Sequence, residues 1–255
     1  PGDAVTNGNT YWWRVRARDP SGGNAWSAWS TSRSFTVDTT VTVGTWFQTT
    51  DSQFSNDTLD DTEISGSGSA RITSVIREAF TAYSEGVVQS PRFRIWNGSS
   101  WGSEQSGVSV GDVIRFVEVD AAPTRDEYAI ATQGATGGVD VQVVNGTTDV
   151  AGNKVRLVTA VSDLTQRGVD VAYETLSGDA VVVSCSGTEA VYRTWNGSAW
   201  SATSSLSLAV SSNCEWIKLA SDPTSDEIIL VARDATTGAI DYEALVWSGS
   251  AWGNS

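Results

Sequence analysis

The sequence predicts an all-β chain of four-stranded antiparallel blades of a β-propeller, about four or more of them, preceded by part of a β-sandwich. Two independent turn markers carry the prediction. Trp96-Asn97-Gly98-Ser99-Ser100-Trp101 returns as Trp195-Asn196-Gly197-Ser198-Ala199-Trp200 and as Trp247-Ser248-Gly249-Ser250-Ala251-Trp252, with a worn copy at Val144-Asn145-Gly146-Thr147. The turns at 97, 145, 196 and 248 lie 48, 51 and 52 residues apart, a period that suits four-stranded blades. The second marker runs half a unit out of phase: Pro123-Thr124-Arg125-Asp126-Glu127 recurs as Pro223-Thr224-Ser225-Asp226-Glu227, with a degenerate Leu176-Ser177-Gly178-Asp179 between them. Two unrelated turns that keep one period specify a tandem array, whereas a lone Asn-Gly specifies only a hairpin.

Residues 1–39 carry no copy of the repeat. Alternation puts Tyr11, Trp13, Val15 and Ala17 on one face of a strand and Trp12, Arg14, Arg16 and Arg18 on the other. A turn at Asp19-Pro20-Ser21-Gly22-Gly23, then Trp26, Trp29 and a strand ending Ser34-Phe35-Thr36-Val37-Asp38, complete a hairpin. The run Gly8-Asn9-Thr10-Tyr11-Trp12-Trp13-Arg14-Val15-Arg16-Ala17 resembles the penultimate strand of a fibronectin type III domain, where a tyrosine precedes a Val-x-Ala core strand. The resemblance implies that Ser34 to Val37 is the last strand of such an immunoglobulin-like sandwich, which needs roughly 100 residues in all.

Residues 40–69 are poor in apolar side chains and read as an acidic transition with one strand at most. Asp57, Asp60 and Asp61 are the candidates there for calcium through oxygen ligands, although their spacing does not match the EF-hand loop. The alternative is a solvated acidic loop.

The blades are expected from residue 70 to 255. In the best-defined unit Val113 to Val119 is a strand, the Pro-Thr-Arg-Asp turn leads to Glu127 through Thr132, and Gly134-Ala135-Thr136-Gly137-Gly138 leads to Val139 through Val144. Asn145-Gly146 opens a shorter fourth segment. Apolar runs such as Val181-Val182-Val183 and Ile228-Ile229-Leu230-Val231 suit strands covered on both faces. A type I′ turn at Asn-Gly would pair Trp96 with Ser99 and set Trp101 diagonally within reach of Trp96. Cys185 ends a Val-rich strand and Cys214 precedes the strand of the next unit, so the two are placed to form a disulfide between adjacent blades. Two buried thiols are the alternative.

Composition narrows function. The formal net charge of −14, with only Lys154 and Lys218 as lysines, argues against nucleic acid as a partner. No apolar run approaches the roughly 20 residues that span a bilayer. Histidine is absent, which removes Ser-His-Asp catalysis and histidine-based zinc sites. Methionine is absent even at position 1, which marks a processed product or a window of something longer. Abundant Ser, Thr, Gly, Asn and Trp suit an extracellular or cell-surface protein, and the whole resembles secreted bacterial surface proteins that string fibronectin-like modules to propeller-like repeats.

Three functions follow as expectations. The first is a non-catalytic structural or adhesive module that self-associates, forming filaments by strand or blade completion between copies. The alternative is a lectin-like propeller that binds surface glycans on paired tryptophans, Trp96 with Trp101, Trp195 with Trp200 and Trp247 with Trp252. Against it stands a purely structural role for each pair, as the staple of its own hairpin. The third is a sialidase-like glycoside hydrolase, for which this turn lacks the Asp and Thr of the sialidase Ser-x-Asp-x-Gly-x-Thr-Trp box. No cofactor is expected other than calcium.

Overall fold

The computed structural model describes residues 8–16, 26–36, 79–97, 100–145, 148–149, 153–235 and 241–254, and residues 59–66 by their backbone. All regular structure among them is β-strand, and no helix is long and apolar enough to cross a membrane. The chain divides into two compact units, residues 1–51 and 52–255.

In the first unit β1 (Thr10–Trp13) and β2 (Arg33–Thr36) form the expected antiparallel pair, with Thr10 opposite Thr36 and Trp13 opposite Arg33. The Arg14 guanidinium lies 4.6 Å over the Trp29 ring, and that of Arg16 lies 4.4 Å over both Trp26 and Trp29. This cation–π ladder needs Arg14 and Arg16 on one face, as alternation places them. Trp12, Trp13, Trp26, Trp29 and Phe35 remain exposed. Among the described residues this unit has one strand pair and no second sheet, so the fibronectin type III expectation stays an expectation.

Among its described residues the second unit contains four sheets, each an up-and-down meander in chain order. The first is β3 (Leu59–Gly66), β4 (Ala79–Glu85), β5 (Arg92–Trp96) and β6 (Gln105–Ser106). The second is β7 (Ile114–Ala121), β8 (Glu127–Gly134), β9 (Val139–Asn145) and β10 (Thr148–Asp149), with β11 (Val155–Val158) also paired to β9. The third is β12 (Val169–Tyr173), β13 (Ala180–Ser186), β14 (Glu189–Trp195) and β15 (Ser204–Ser207). The fourth is β16 (Cys214–Ser221), β17 (Ile228–Asp234), β18 (Tyr242–Trp247) and β19 (Trp252–Asn254). The opening strands β3, β7, β12 and β16 pack against one another in succession, so they are the inner strands of adjoining blades.

The second and third sheets are apolar on both faces because each has a blade on either side. Ala129, Ala131, Val141 and Val143 of the second blade pack on Val169, Tyr173, Val182 and Trp195 of the third. Val181 and Val183, on the other face of the third, pack on Ile217, Ile228, Leu230 and Leu245 of the fourth. Buried amides act as backbone substitutes where strands leave gaps: Gln142 accepts from Val108 N at 2.7 Å and donates to Val108 O at 3.1 Å, and Asn153 does the same for Val143. Such two-point pairing is how a buried polar side chain avoids its desolvation cost.

Three features depart from, or resolve, what the sequence implies. The first sheet takes its inner strand from 59–66, inside the acidic transition and ahead of residue 70. The two cysteines are bonded, with Cα atoms 5.3 Å apart, tying β13 of the third blade to β16 of the fourth. The Trp turns of the first, third and fourth blades are four-residue loops, not type I′ turns. Trp96 lies directly opposite Trp101 and Trp195 opposite Trp200, as Trp247 lies opposite Trp252. The cause is the Asn side chain: Asn196 Oδ1 accepts from Ser198 N at 3.0 Å and Ala199 N at 2.9 Å, an Asx-type loop that leaves only Gly197 at positive φ, +84°. In the worn copy Asn145 does pair with Thr148, across two residues.

Candidate functional site

The seams between successive blades collect the side chains that carry chemistry. Each Trp pair flanks its loop as a non-hydrogen-bonded pair, since Asn97 N donates to Ser100 O and Gly102 N to Ile95 O on either side of it. Facing side chains are closest at such positions. Ring centroids are 5.7 Å apart for Trp96 and Trp101, 5.3 Å for Trp195 and Trp200, and 5.4 Å for Trp247 and Trp252, all tilted or edge-to-face.

The two members of a pair differ in role. Trp195 and Trp247 are 1% and 4% exposed, so neither offers a face to a ligand. Each instead donates its indole N–H to a carboxylate of the preceding blade: Trp195 Nε1 to Glu127 Oε2 at 3.0 Å, and Trp247 Nε1 to Glu174 Oε1 at 2.6 Å. Glu127 opens β8, whereas Glu174 follows β12, so the same latch is supplied from opposite sides of the turn in the two blades. Trp200 and Trp252 are only partly buried. They pack on the seam cores, and their indole nitrogens are out of water's reach with no protein acceptor. Of the six tryptophans expected to bind ligand, the structure thus assigns Trp195 and Trp247 to the core and leaves Trp200 and Trp252 with unused donors. Trp96 and Trp101, in the first blade, are half-buried.

The seam between the second and third blades also holds Arg125. Its Nε meets Glu127 Oε2 at 3.0 Å, its Nη1 approaches Asp179 Oδ1 at 3.7 Å, and its Nη2 donates to Gly178 O. A side chain at Gly197 would place its Cβ 2.9 Å from the Arg125 guanidinium carbon, so the glycine is needed both for its φ and for this close approach. At the next seam Asp226 Oδ1 accepts from Leu176 N at 2.7 Å and Ser177 N at 2.9 Å. Ser177 Oγ donates to Glu174, whose carboxyl is pushed up by burial. Tyr192 stands edge-on to both Trp247 and Trp252, at 5.7 and 6.0 Å. None of Glu127, Glu174, Arg125 and Tyr192 stands out as a site residue in the sequence. The available signal was that the Pro-Thr-x-Asp-Glu marker keeps the period of the Trp turn.

A second polar cluster sits where the inner strands meet. The strand registers place Glu63, Glu118, Asp170 and Lys218 at one equivalent position of the four inner strands. Lys218 Nζ reaches Glu118 Oε2 at 3.1 Å and Asp170 Oδ2 at 3.3 Å, and Arg167 meets Glu118 Oε1 at 2.6 Å. Asp170 also accepts from Leu219 N at 2.6 Å and Val171 N at 2.8 Å, binding the third blade to the fourth. A cavity of about 300 Å³ opens beside this cluster, lined by Asp120, Asp170, Tyr173, Lys218 and Ser221 among others. Glu118, Asp120 and Asp170 are each engaged by backbone N–H groups or cations, so the cluster fastens strands.

Burial, then the Glu118 charge, push the Asp170 carboxyl up to about 7, against the opposing pull of Lys218 and the two N–H donors. A carboxyl whose folded pKa exceeds its unfolded one binds its proton more tightly when folded. Its contribution to stability is therefore fully present below about pH 4 and lost as pH rises through about 7. The urea midpoint is expected to fall between pH 5 and pH 8, and Asp170→Asn should flatten that part of the profile, as tryptophan fluorescence would follow.

Among the described residues no group of three or more acids, cysteines or histidines could hold a metal ion. Of the calcium candidates, Asp57 lies outside the described residues, and Asp60 and Asp61 fall on β3, described by its backbone.

No protein-family profile and no curated protein matches the chain. Solved structures do. The fungal lectin of Aleuria aurantia, a six-bladed β-propeller, superposes with a TM-score of 0.52 at 13% identity, covering 96% of this chain and 75% of its own. A mutant of the same lectin in complex with α-methyl-L-fucoside gives 0.49 at 13% identity, over the same 96% and 75%. The SapL1 lectin in complex with α-methyl fucoside gives 0.46 at 15% identity; the match covers 76% of this chain, which spans 63% of that lectin's length. At such identities the likeness speaks for fold alone, and with the meanders, the period and the stacked inner strands it shows that the four sheets are blades of a β-propeller.

Proposed function

We propose that this chain is a non-catalytic carbohydrate-binding propeller that takes neutral sugars at the seams between blades. The observation that carries the proposal is the pair of part-exposed indole rings of Trp200 and Trp252, equivalent positions 52 residues apart, each beside a carboxylate-latched tryptophan. An aromatic face beside polar groups suits the amphipathic surface of a sugar ring. The surplus of acids favours uncharged glycans over sialylated ones.

The fold likeness supports this alternative more than the scaffold expectation, because the Aleuria aurantia lectin recognises fucose. The buried acids support a non-catalytic role, since Glu127, Glu174, Glu118 and Asp170 are each committed to an indole or a cation. The inter-blade disulfide supports an oxidising compartment, hence an extracellular setting.

Titration with neutral methyl glycosides tests the proposal. Trp200→Ala and Trp252→Ala remove the ring, and each is expected to weaken binding at its seam by about 2- to 10-fold, the worth of one aromatic contact. Thermal unfolding should move far less than for a tryptophan of the core. Absence of binding by the wild-type chain to any neutral glycan would overturn the assignment.

A further inference from the structure

The loop between the two tryptophans of the third blade holds the parts of a reaction with itself. Asn196 precedes Gly197, and a bond from the Gly197 nitrogen to the Asn196 amide carbon closes a five-membered ring through Cβ, Cα and the main-chain carbon. Around the amide oxygen the donors are already in place. Asn196 Oδ1 accepts from Ser198 N at 3.0 Å, from Ser198 Oγ at 2.8 Å and from Ala199 N at 2.9 Å. Donors fixed on an oxygen that gains negative charge during a reaction lower its barrier. The other two groups are uncommitted: among the described residues neither Gly197 N nor Asn196 Nδ2 makes a hydrogen bond. Gly197, at φ +84°, has no side chain to shield its nitrogen, and Asn196 is exposed to water.

We propose that Asn196 is a site of self-modification, converting to aspartate and isoaspartate in the folded chain with water as the only reactant. Gly197 N gives its proton to solvent base and attacks Asn196 Cγ, while Ser198 and Ala199 hold the oxygen that takes up the charge. The bond from Cγ to Nδ2 then breaks, Nδ2 takes a proton from water, and ammonia leaves a cyclic imide. Water opens the imide at either carbonyl. Rupture of the new bond to Cγ gives aspartate on the original main chain, and rupture of the old peptide bond routes the main chain through Cγ as isoaspartate. The consequences differ. Aspartate keeps an oxygen for Ser198 and Ala199 to grip. Isoaspartate lengthens a loop whose ends are fixed, since Trp195 lies opposite Trp200 and Asn196 N donates to Ala199 O at 3.4 Å, so it loosens the tryptophan pair. Either product adds a negative charge close to Arg125, whose guanidinium lies against Gly197. The fourth blade is spared, because its loop is built on Ser248, whose hydroxyl accepts from Ala251 N at 3.3 Å and has no amide to close the ring.

Incubation of the whole chain in mildly alkaline buffer tests this. Peptide mass spectrometry reads the exchange of amide for carboxyl at Asn196, and an isoaspartyl-specific methyltransferase reads the isomer. The reaction is expected to run faster in the folded chain than in the same chain unfolded in urea, where Asn196 and Gly197 still adjoin but the donors are scattered. Ser198→Ala, at an exposed position where folding is not at stake, removes the hydroxyl donor. It should slow the folded chain by about 2- to 10-fold, the worth of one hydrogen bond, and leave the unfolded rate unchanged. A folded rate equal to or below the unfolded one would overturn the proposal, because the loop would then restrain the amide instead of activating it. So would a folded Ser198→Ala that reacts as fast as wild type. Sugar binding is read on fresh protein before any conversion, so the two proposals fail separately.

Discussion

Trp195→Ala is expected to lower the unfolding free energy by about 3 to 5 kcal/mol, the range for truncating a large buried aromatic side chain. Trp195 is the largest fully buried side chain of the seam between the second and third blades, packed in the cluster with Ala129, Val143, Tyr173 and Val182. The substitution removes that volume and the donor to Glu127 together. Glu127 keeps Arg125 at 3.0 Å, so it is left with its charge paired, and the loss is dominated by the cavity. Trp195→Phe separates the two parts by retaining most of the volume. Urea unfolding followed by circular dichroism should place Trp195→Phe well above Trp195→Ala and Trp200→Ala nearest wild type, because Trp200 is only partly buried. If Trp200→Ala proves as damaging as Trp195→Ala, the division of each pair into a core member and a surface member is wrong.

Removal of the Cys185–Cys214 bond is expected to cost about 3 to 4 kcal/mol, the chain-entropy value for a loop of this size. The bond spans 29 residues and joins the second strand of one blade to the inner strand of the next. Both cysteines are fully buried, so a reductant can reach them only after the seam opens. Reduction should therefore be slow in native buffer and fast in moderate urea. The double variant Cys185→Ala with Cys214→Ala should unfold at lower urea, and hydrogen exchange should show the fourth blade loosening before the second and third. Equal protection across all blades in that variant would mean that the bond only restricts the unfolded chain.

The repeat, the blade plan and the places of the turns were legible in the sequence because they depend on local chemistry: Gly at positive φ and apolar runs between turns. The disulfide was legible only as one of two alternatives, since its pairing depends on how neighbouring sheets stack. The latches were not legible at all. Glu127 meets Trp195 across 68 residues, and Lys218 meets Glu118 across 100.

The strand at 59–66 shows why composition misleads at one place in such folds. Its run Leu-Asp-Asp-Thr-Glu-Ile-Ser-Gly looks like a solvated loop, but Glu63 falls at the register position of Glu118, Asp170 and Lys218. Inner strands face the polar cluster around which the blades gather, so acids there belong to the position. The Trp loops misled for a related reason: Asn-Gly favours a two-residue turn, and only the following Ser-Ser or Ser-Ala, whose N–H groups the Asn captures, lengthens it.

One seam does without a latch. The second blade carries Val144 where the others carry Trp, and there Phe80 of the first blade stacks on Tyr128 of the second with ring centroids 4.4 Å apart. Two unlike fastenings thus hold successive seams of one array. Drift can exchange one for the other a single interface at a time, without any intermediate that must abandon its neighbour. Tandem copies under such freedom lose their mutual likeness long before they lose their spacing, and ancestry in this chain is written in its rhythm more than in its letters.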